Sequence, residues 1–490
     1  MRLLAAATVL FTALLAGASL APAADIGAND DLAEYQTDAG AAMYAQMAAL
    51  GLRQTVIGVR WVPSDPLVIQ DKDKLDRVIP AAIAAGLRVV LAVYPYPPRE
   101  LEAGLGSPSL FAAYVGEVAS VYPEVKEFVI GNEPNQPAFW RPQFDARGQN
   151  ASAAAFGPYL AGAYDALKSV DPAITVVGVG LSPRGNDRPD APNNVSTSPL
   201  RFLRALGAWY RRSGRTRPLM DAFSFHPYPS RATDSLDRGY AWPNAGFANL
   251  DRVKQGLWDA FNGTAQPTTL DGLKLHLDEV GWQVTTAGLP GYTGVENVPV
   301  TTEARQAAIY GALVRRAACD PDIAEVSFFG FRDDGARAGF QAALERVDGS
   351  LRPAAAAVQS AVASGASQCG TVHAWKPDSA VLGARVALGP ASGAAVAARI
   401  TAGEDAHATV CVGLPVGAGS SPVERIVGLL HEASALCRSA SVAGLHQVLV
   451  RLTAPRGART KVEVAVQLQA AANPDRRTLV LEQATFASSG

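Results

Sequence analysis

Charge is scarce in this chain and nearly balanced. Only 18% of its 490 residues are Asp, Glu, Lys or Arg, 43 basic against 45 acidic, for a formal net charge of −2. Nucleic-acid binding needs a basic surface to neutralise phosphates, so that class of partner is excluded. Cysteine is equally sparse, with four residues and no C-x-x-C, and the six histidines are scattered without metal-ligand spacing. Neither zinc nor any other metal or cofactor is expected on that basis. There is no G-x-S-x-G, no H-E-x-x-H and no phosphate loop. Gly178-Val179-Gly180 comes closest to a dinucleotide fingerprint, but Pro183 stands where the third glycine belongs. Internal repeats and low-complexity segments are also missing. What remains is 48% apolar residues, enough to bury a sizeable core.

Residues 1–24 carry one early positive charge, Arg2, then an apolar run from Leu3 to Leu20, and close on Ala21-Pro22-Ala23-Ala24. That is the pattern of a cleavable signal peptide, and it predicts a secreted protein with no membrane span after cleavage; an uncleaved membrane anchor is the alternative, which the A-x-A ending disfavours. The four cysteines suit that compartment and allow three pairings. Cys319 with Cys369 and Cys411 with Cys437 is the simplest choice, since each couple lies together in the chain.

From Asp25 to about Gly370 a short β-branched run, a loop and an Ala/Leu-rich helical stretch recur. The predicted strands are Asp25–Ala28, Thr55–Arg60, Leu87–Tyr94, Glu127–Gly131, Thr175–Gly180, Asp221–His226, Lys274–Glu279 and Glu325–Phe331. Eight strands alternating with helices predict an α/β fold of the closed (β/α)8 TIM-barrel type over residues 25–370. An open doubly wound sheet is the alternative, and it lacks its fingerprint. After Cys369 short alternating runs replace the helical patterns. Val462, Val464, Val466 and Leu468 alternate with Lys461, Glu463, Ala465 and Gln467, as in a strand with one buried face. Residues 371–490 read as a small all-β, sandwich-like domain, with a short helix over Ile426–Leu436.

Two strand ends carry the chemistry. Phe128-Val129-Ile130-Gly131-Asn132-Glu133-Pro134 ends the fourth strand, and Leu275-His276-Leu277-Asp278-Glu279 ends the seventh. A parallel barrel presents its working groups at such ends. Asn-Glu-Pro after the fourth strand, with a glutamate closing the seventh, resembles the clan A glycoside hydrolases, the family 5, family 39 and related (β/α)8 enzymes, over roughly residues 25–370. The resemblance implies Glu133 as general acid/base, Glu279 as nucleophile and Asn132 as a partner for the sugar 2-hydroxyl. It also implies site roles for His226 and Tyr228 after the sixth strand, and for Arg60 as a cation keeping Glu279 ionised. Phe331 stands where many such enzymes place a Trp at the end of the eighth strand.

A retaining glycosidase needs one protonated and one ionised carboxyl group about 5–5.5 Å apart. With Glu279 ionised, its charge is expected to raise Glu133 and keep it protonated. Aromatic rings suit the apolar faces of sugars, and Trp61, Tyr94, Tyr96, Trp140 and Trp282 lie on or just after strand ends. The expectation is a secreted, monomeric, retaining β-glycosidase acting on a β-linked oligo- or polysaccharide. A non-catalytic carbohydrate-binding barrel is the alternative, and a transglycosylase using the same residues is a third reading.

Overall fold

The computed structural model describes residues 24–369, 374–389, 395–415, 421–431, 436–455 and 461–485. The expected signal segment, apart from Ala24, lies outside the described residues. Eight parallel strands close a barrel in sequence order: β1 Asp25–Asn29, β2 Gln54–Trp61, β3 Arg88–Pro95, β4 Glu127–Ile130, β5 Thr175–Leu181, β6 Ala222–Phe225, β7 Lys274–Val280 and β8 Ile323–Phe329. β1 pairs with β8, which removes both sheet edges. Helices such as Lys72–Ala84, Pro108–Val121, Ser152–Val170, Pro199–Ser213, Leu250–Phe261 and Glu303–Ala317 fill the crossovers. This is the predicted TIM barrel.

The alternation of side chains along each strand divides the core in two. Ile57, Val59, Leu91, Val93, Phe128, Ile130, Leu275 and Leu277 join a large cluster with helix residues such as Phe111 and Tyr114. The residues between them face the lumen, where Val56, Val90, Val129, Val177 and Ala222 form a small separate cluster. Below that layer lies a polar floor. The Arg88 guanidinium bonds Glu127 and Gln54 and reaches Asp25 at 3.3 Å and Glu325 at 3.2 Å. His276 Nδ1 sits 2.9 Å from Glu127 and 3.4 Å from Glu325. The lumen is thus filled from the bottom to the valine layer, and only its C-terminal mouth is free to hold a ligand.

Beyond the barrel, seven strands among the described residues form two antiparallel sheets. One has the order β13–β10–β9 and the other β12–β11–β14–β15. Their ranges are β9 Arg385–Leu388, β10 Ala395–Thr401, β11 Ala406–Gly413, β12 Leu436–Val442, β13 Gln447–Thr453, β14 Lys461–Ala470 and β15 Arg477–Thr485. Val396, Ile400 and Leu452 from the first sheet share one core with Val410, Val464 and Leu468 from the second, as expected of a sandwich. Both expected disulfides form, Cys319–Cys369 and Cys411–Cys437. The expected helix over Ile426–Leu436 is corrected. It spans Pro422–His431, and Leu436 opens β12, which places Cys437 opposite Cys411 in register. That helix lays Ile426 and Leu429 on Ala465, so the second face of β14 is covered as well.

One buried arginine ties the sheets to the barrel. Arg476 donates to Asp259 on the helix Leu250–Phe261 at 2.8 Å, and to both oxygens of Glu404 at 2.8 and 2.9 Å. Burial pushes Asp259 up to about 6, with Arg476 opposing.

Candidate active site

Glycine sets the position of Glu133. Gly131 has φ +104° and Gly180 φ +67°, a left-handed backbone that glycine adopts without cost. A Cβ on Gly180 would meet the Gly131 carbonyl oxygen at 2.9 Å, and one on Gly131 would meet the Val179 oxygen at 2.7 Å. The ends of β4 and β5 therefore approach backbone to backbone. The Glu133 N–H then donates to the Gly180 carbonyl at 2.6 Å, and Glu133 itself holds φ +41°. A non-glycine residue in that region is strained and persists only where its surroundings hold it. Asn135, fully buried, supplies the hold. Its amide donates to the Ser182 and Thr197 carbonyls at 3.1 and 2.9 Å and accepts from the Ser182 N–H at 3.0 Å.

Glu279 arrives from the other side, at the end of β7. Tyr228 donates its hydroxyl to Glu279 Oε2 at 3.0 Å, and Asn29, the last residue of β1, offers its amide to Oε1 at 3.4 Å. His226 joins the two acids. Its Nδ1 lies 3.2 Å from Glu133 Oε1 and 3.4 Å from Glu279 Oε2, while Nε2 lies 3.5 Å from Asp278. Asp278 accepts in turn from Ser224. The ligating atoms of Glu133, His226 and Glu279 all lie within 4.8 Å of one another.

The electrostatics follow from burial. Desolvation works against a charged imidazole, but Glu279 and Asp278 outweigh it and hold His226 well above the usual histidine range. Burial pushes the Glu279 carboxyl up to about 7, with the His226 charge opposing and Glu133 and Asp278 adding to the rise. This departs from the expectation of an ionised Glu279. Burial is the largest cause, and among the described residues no arginine is ion-paired with Glu279 to oppose it. Arg60 is exposed, bonds Tyr94 and lies 5.4 Å over the Tyr96 ring.

Of the other expected contacts, Tyr228 and His226 meet at the glutamates. Asn132 is half-buried between Gly131 and Glu133. Tyr94 packs edge-on against Phe139 and does not hydrogen-bond either glutamate among the described residues. Trp61, Trp282 and Phe331 are corrected, because all three are buried in the core. Trp61 packs on Phe111 and bonds the Pro66 carbonyl. Trp282 bonds the Asp234 carbonyl through Nε1 at 3.0 Å. Phe331 follows Gly330, whose φ of +78° ends β8, and its N–H is held by Asp30 at 2.9 Å. Trp140 is likewise buried against Phe156 and Tyr159. The aromatic wall at the mouth is made instead by Phe329 and Phe340, 6.2 and 5.5 Å from the Tyr228 ring.

Asn29, Asp278, Ser224, Asn135, Phe329 and Phe340 were not singled out by the sequence. Asn29 and Phe329 are strand-end residues, the same signal that exposed Glu133. Among the described residues two groups have the spacing to hold a cation, Glu133/His226/Glu279 and Glu127/His276/Glu325. In the second, Arg88 already supplies a positive charge to both carboxylates. In the first, a protonated His226 does so.

No family model and no curated protein matches the chain. Similar solved structures include a monomeric β-xylosidase from Caulobacter crescentus, at 16% identity and TM-score 0.45, covering 92% of this chain and 96% of that one. A family 39 glycoside hydrolase from the gut symbiont Bacteroides cellulosilyticus aligns at 14% identity and TM-score 0.47, over 88% of this chain and 81% of that one. An exo-β-1,4-mannosidase from an Opitutaceae bacterium aligns at 13% identity and TM-score 0.44, over 71% and 61%. Likenesses at this level concern the barrel fold, and the reading of the site rests on its own geometry.

Proposed function

We propose that this chain is a retaining β-glycosidase that cleaves a β-linked oligo- or polysaccharide by double displacement. The observation that carries the reading is the pair Glu133 and Glu279 at the barrel mouth, with carboxylate oxygens within 4.8 Å of each other. So close an approach of the two side chains favours the retaining arrangement, in which the carboxyl groups stand about 5–5.5 Å apart.

In the first step Glu279 attacks the anomeric carbon while Glu133 gives its proton to the departing glycosidic oxygen. In the second, Glu133 takes a proton from water, whose oxygen displaces Glu279 and restores the starting configuration. Tyr228, Asn29 and the His226 imidazolium are donors aimed at Glu279, and they stabilise its charge when it leaves the sugar. Asn132, beside Glu133, is assigned to the sugar 2-hydroxyl.

Residues 25–370 would form the catalytic unit and residues 371–490 a support held by Arg476. The two disulfides suit an oxidising compartment, in keeping with secretion. No helix among the described residues is long and apolar enough to cross a membrane. The chain is read as a monomer.

The test is a screen of β-linked polysaccharides with analysis of product length and anomeric configuration. Wild-type turnover that Glu279→Gln abolishes supports the reading. Sugar binding with no turnover on any glycan replaces it with a non-catalytic carbohydrate-binding barrel.

A further inference from the structure

The space beside Glu133 has a charge that a neutral sugar does not call for. A cavity of about 500 Å³ opens from Glu133 and Tyr228 toward the loops that follow β5, β6 and β7. Glu279 does not line it. If Glu133 is the proton donor, as proposed above, this is the side on which the leaving group sits.

Two arginines stand in its wall. Arg184, after β5, donates from Nη1 to the Ser230 carbonyl at 3.2 Å, and its guanidinium also meets the Tyr240 hydroxyl. Those contacts fix its direction without neutralising it. Arg231, after β6, has its backbone N–H held by the Asp234 carboxylate at 3.1 Å. Among the described residues, neither guanidinium is ion-paired with a carboxylate. Glu133 is the only acidic residue lining the cavity, whose other polar walls are neutral amides such as Gln136, Gln283 and Asn297. Of the acids just outside the lining, Glu296 is engaged by Gln283 and Thr286, Glu279 by Tyr228, and Asp234 by the Arg231 backbone.

The contrast lies in the arginines that follow β8. Arg332 pairs with Glu345, Arg346 with Glu303, and Arg352 with both Glu303 and Asp333. Those three each receive a carboxylate, while Arg337 in the same stretch is held by the Thr286 hydroxyl and by carbonyls, and the exposed guanidiniums of Arg184 and Arg231 have no carboxylate partner among the described residues. A planar fork of donors in a concave site selects a planar or tetrahedral oxyanion, whereas hydroxyl groups are served by the amides already present.

We infer that the leaving-group side of this cleft accepts a sugar unit bearing an anionic group, a carboxylate or a sulfate, held by Arg184 and Arg231. The inference rests on the catalytic reading only for the name of the side. The test is calorimetric binding of D-glucuronate, D-glucose 6-sulfate and D-glucose to full-length Glu279→Gln, with and without Arg184→Gln/Arg231→Gln. The expected result is at least about tenfold tighter binding of an anion than of glucose, weakened by salt and lost in the arginine variant. Preference for glucuronate alone identifies a carboxylate, and preference for both admits either anion. Equal binding of all three sugars, or binding of none, overturns the inference. Anion binding without turnover of any glycan by the wild type keeps this subsite and removes the catalytic reading. Turnover of neutral glycans with no anion preference does the reverse.

Discussion

The Tyr228 hydroxyl donates to Glu279 Oε2 at 3.0 Å, from a phenol that burial, with Glu279 and Glu133 nearby, keeps protonated far above neutral pH. At neutral pH it is a donor. Removing it in Tyr228→Phe takes a hydrogen bond from the ionised form of Glu279, and such bonds contribute about 1.5–3 kcal/mol. The expected result is a kcat/KM lower by roughly 10- to 100-fold, with the acid limb of the pH profile moved upward and the melting temperature little changed. An unaltered pH profile contradicts this role.

Glu279 gives a stability prediction of definite sign. Its carboxyl titrates near 4.5 in an unfolded chain and at about 7 in the folded one. The folded protein therefore binds the proton more tightly, and stability falls as pH rises from about 4.5 through 7. Glu279→Gln removes that cost. It should stabilise the protein above pH 7 by up to roughly 3 kcal/mol, and by nothing near pH 4. Urea titrations at the two pH values measure the difference. A gain that is the same at both contradicts the burial argument.

The glycines beneath Glu133 provide a test of positioning. Gly180→Ala places a Cβ against the Gly131 carbonyl oxygen and also strains a positive φ. Gly214, with φ +68°, has nothing within 4 Å of the same position. Both substitutions should cost about 1 kcal/mol or more of stability. Only Gly180→Ala should also lower kcat, because only it displaces the loop bearing Glu133. Equal activity in the two variants contradicts the proposed role of this contact.

Arg476→Ala leaves Asp259 and Glu404 facing each other in a buried site without their cation. Removing one partner of such a group costs about 3–5 kcal/mol. The expected outcome is a lower melting temperature, or a separate early transition, in differential scanning calorimetry. An unchanged thermogram contradicts the view that this contact fastens the sheets to the barrel.

A protonated His226 places its charge against both Glu133 and Glu279 and leaves Nδ1 no lone pair for a metal ion. Treatment with EDTA is accordingly expected to leave turnover unchanged. Loss of turnover that added zinc or manganese restores contradicts this.

The barrel was legible because strands buried on both faces are near-continuous apolar runs, and all eight were placed within two residues of their bounds. The meeting of Glu133 and Glu279 was legible because a closed barrel gathers the ends of its strands at one mouth. The errors came from ignoring which face a residue occupies. Arg60 and Trp61 are consecutive, so one faces the lumen and the other the helix layer, and Trp61 is lost to the core. β8 ends at Phe329, two residues before Phe331, and Gly330 turns the chain there, which leaves Phe329 at the mouth. Asn29 lies one residue past the predicted end of the first strand, where its polar side chain breaks the apolar run. β12 is an edge strand with mostly exposed residues, so its sequence lacks the alternation that betrays a buried face. Arg60 failed as a partner of Glu279 for a different reason. Its contacts depend on neighbouring Tyr94, which only the register of β2 against β3 fixes.

The measurement that bears most directly on the two-glutamate mechanism is the configuration of the first product, followed by proton NMR during cleavage of a β-glycan identified in the screen. The arrangement of Glu133 and Glu279 predicts that the β-anomer appears first and the α-anomer only later, by mutarotation. Initial release of the α-anomer would contradict the account.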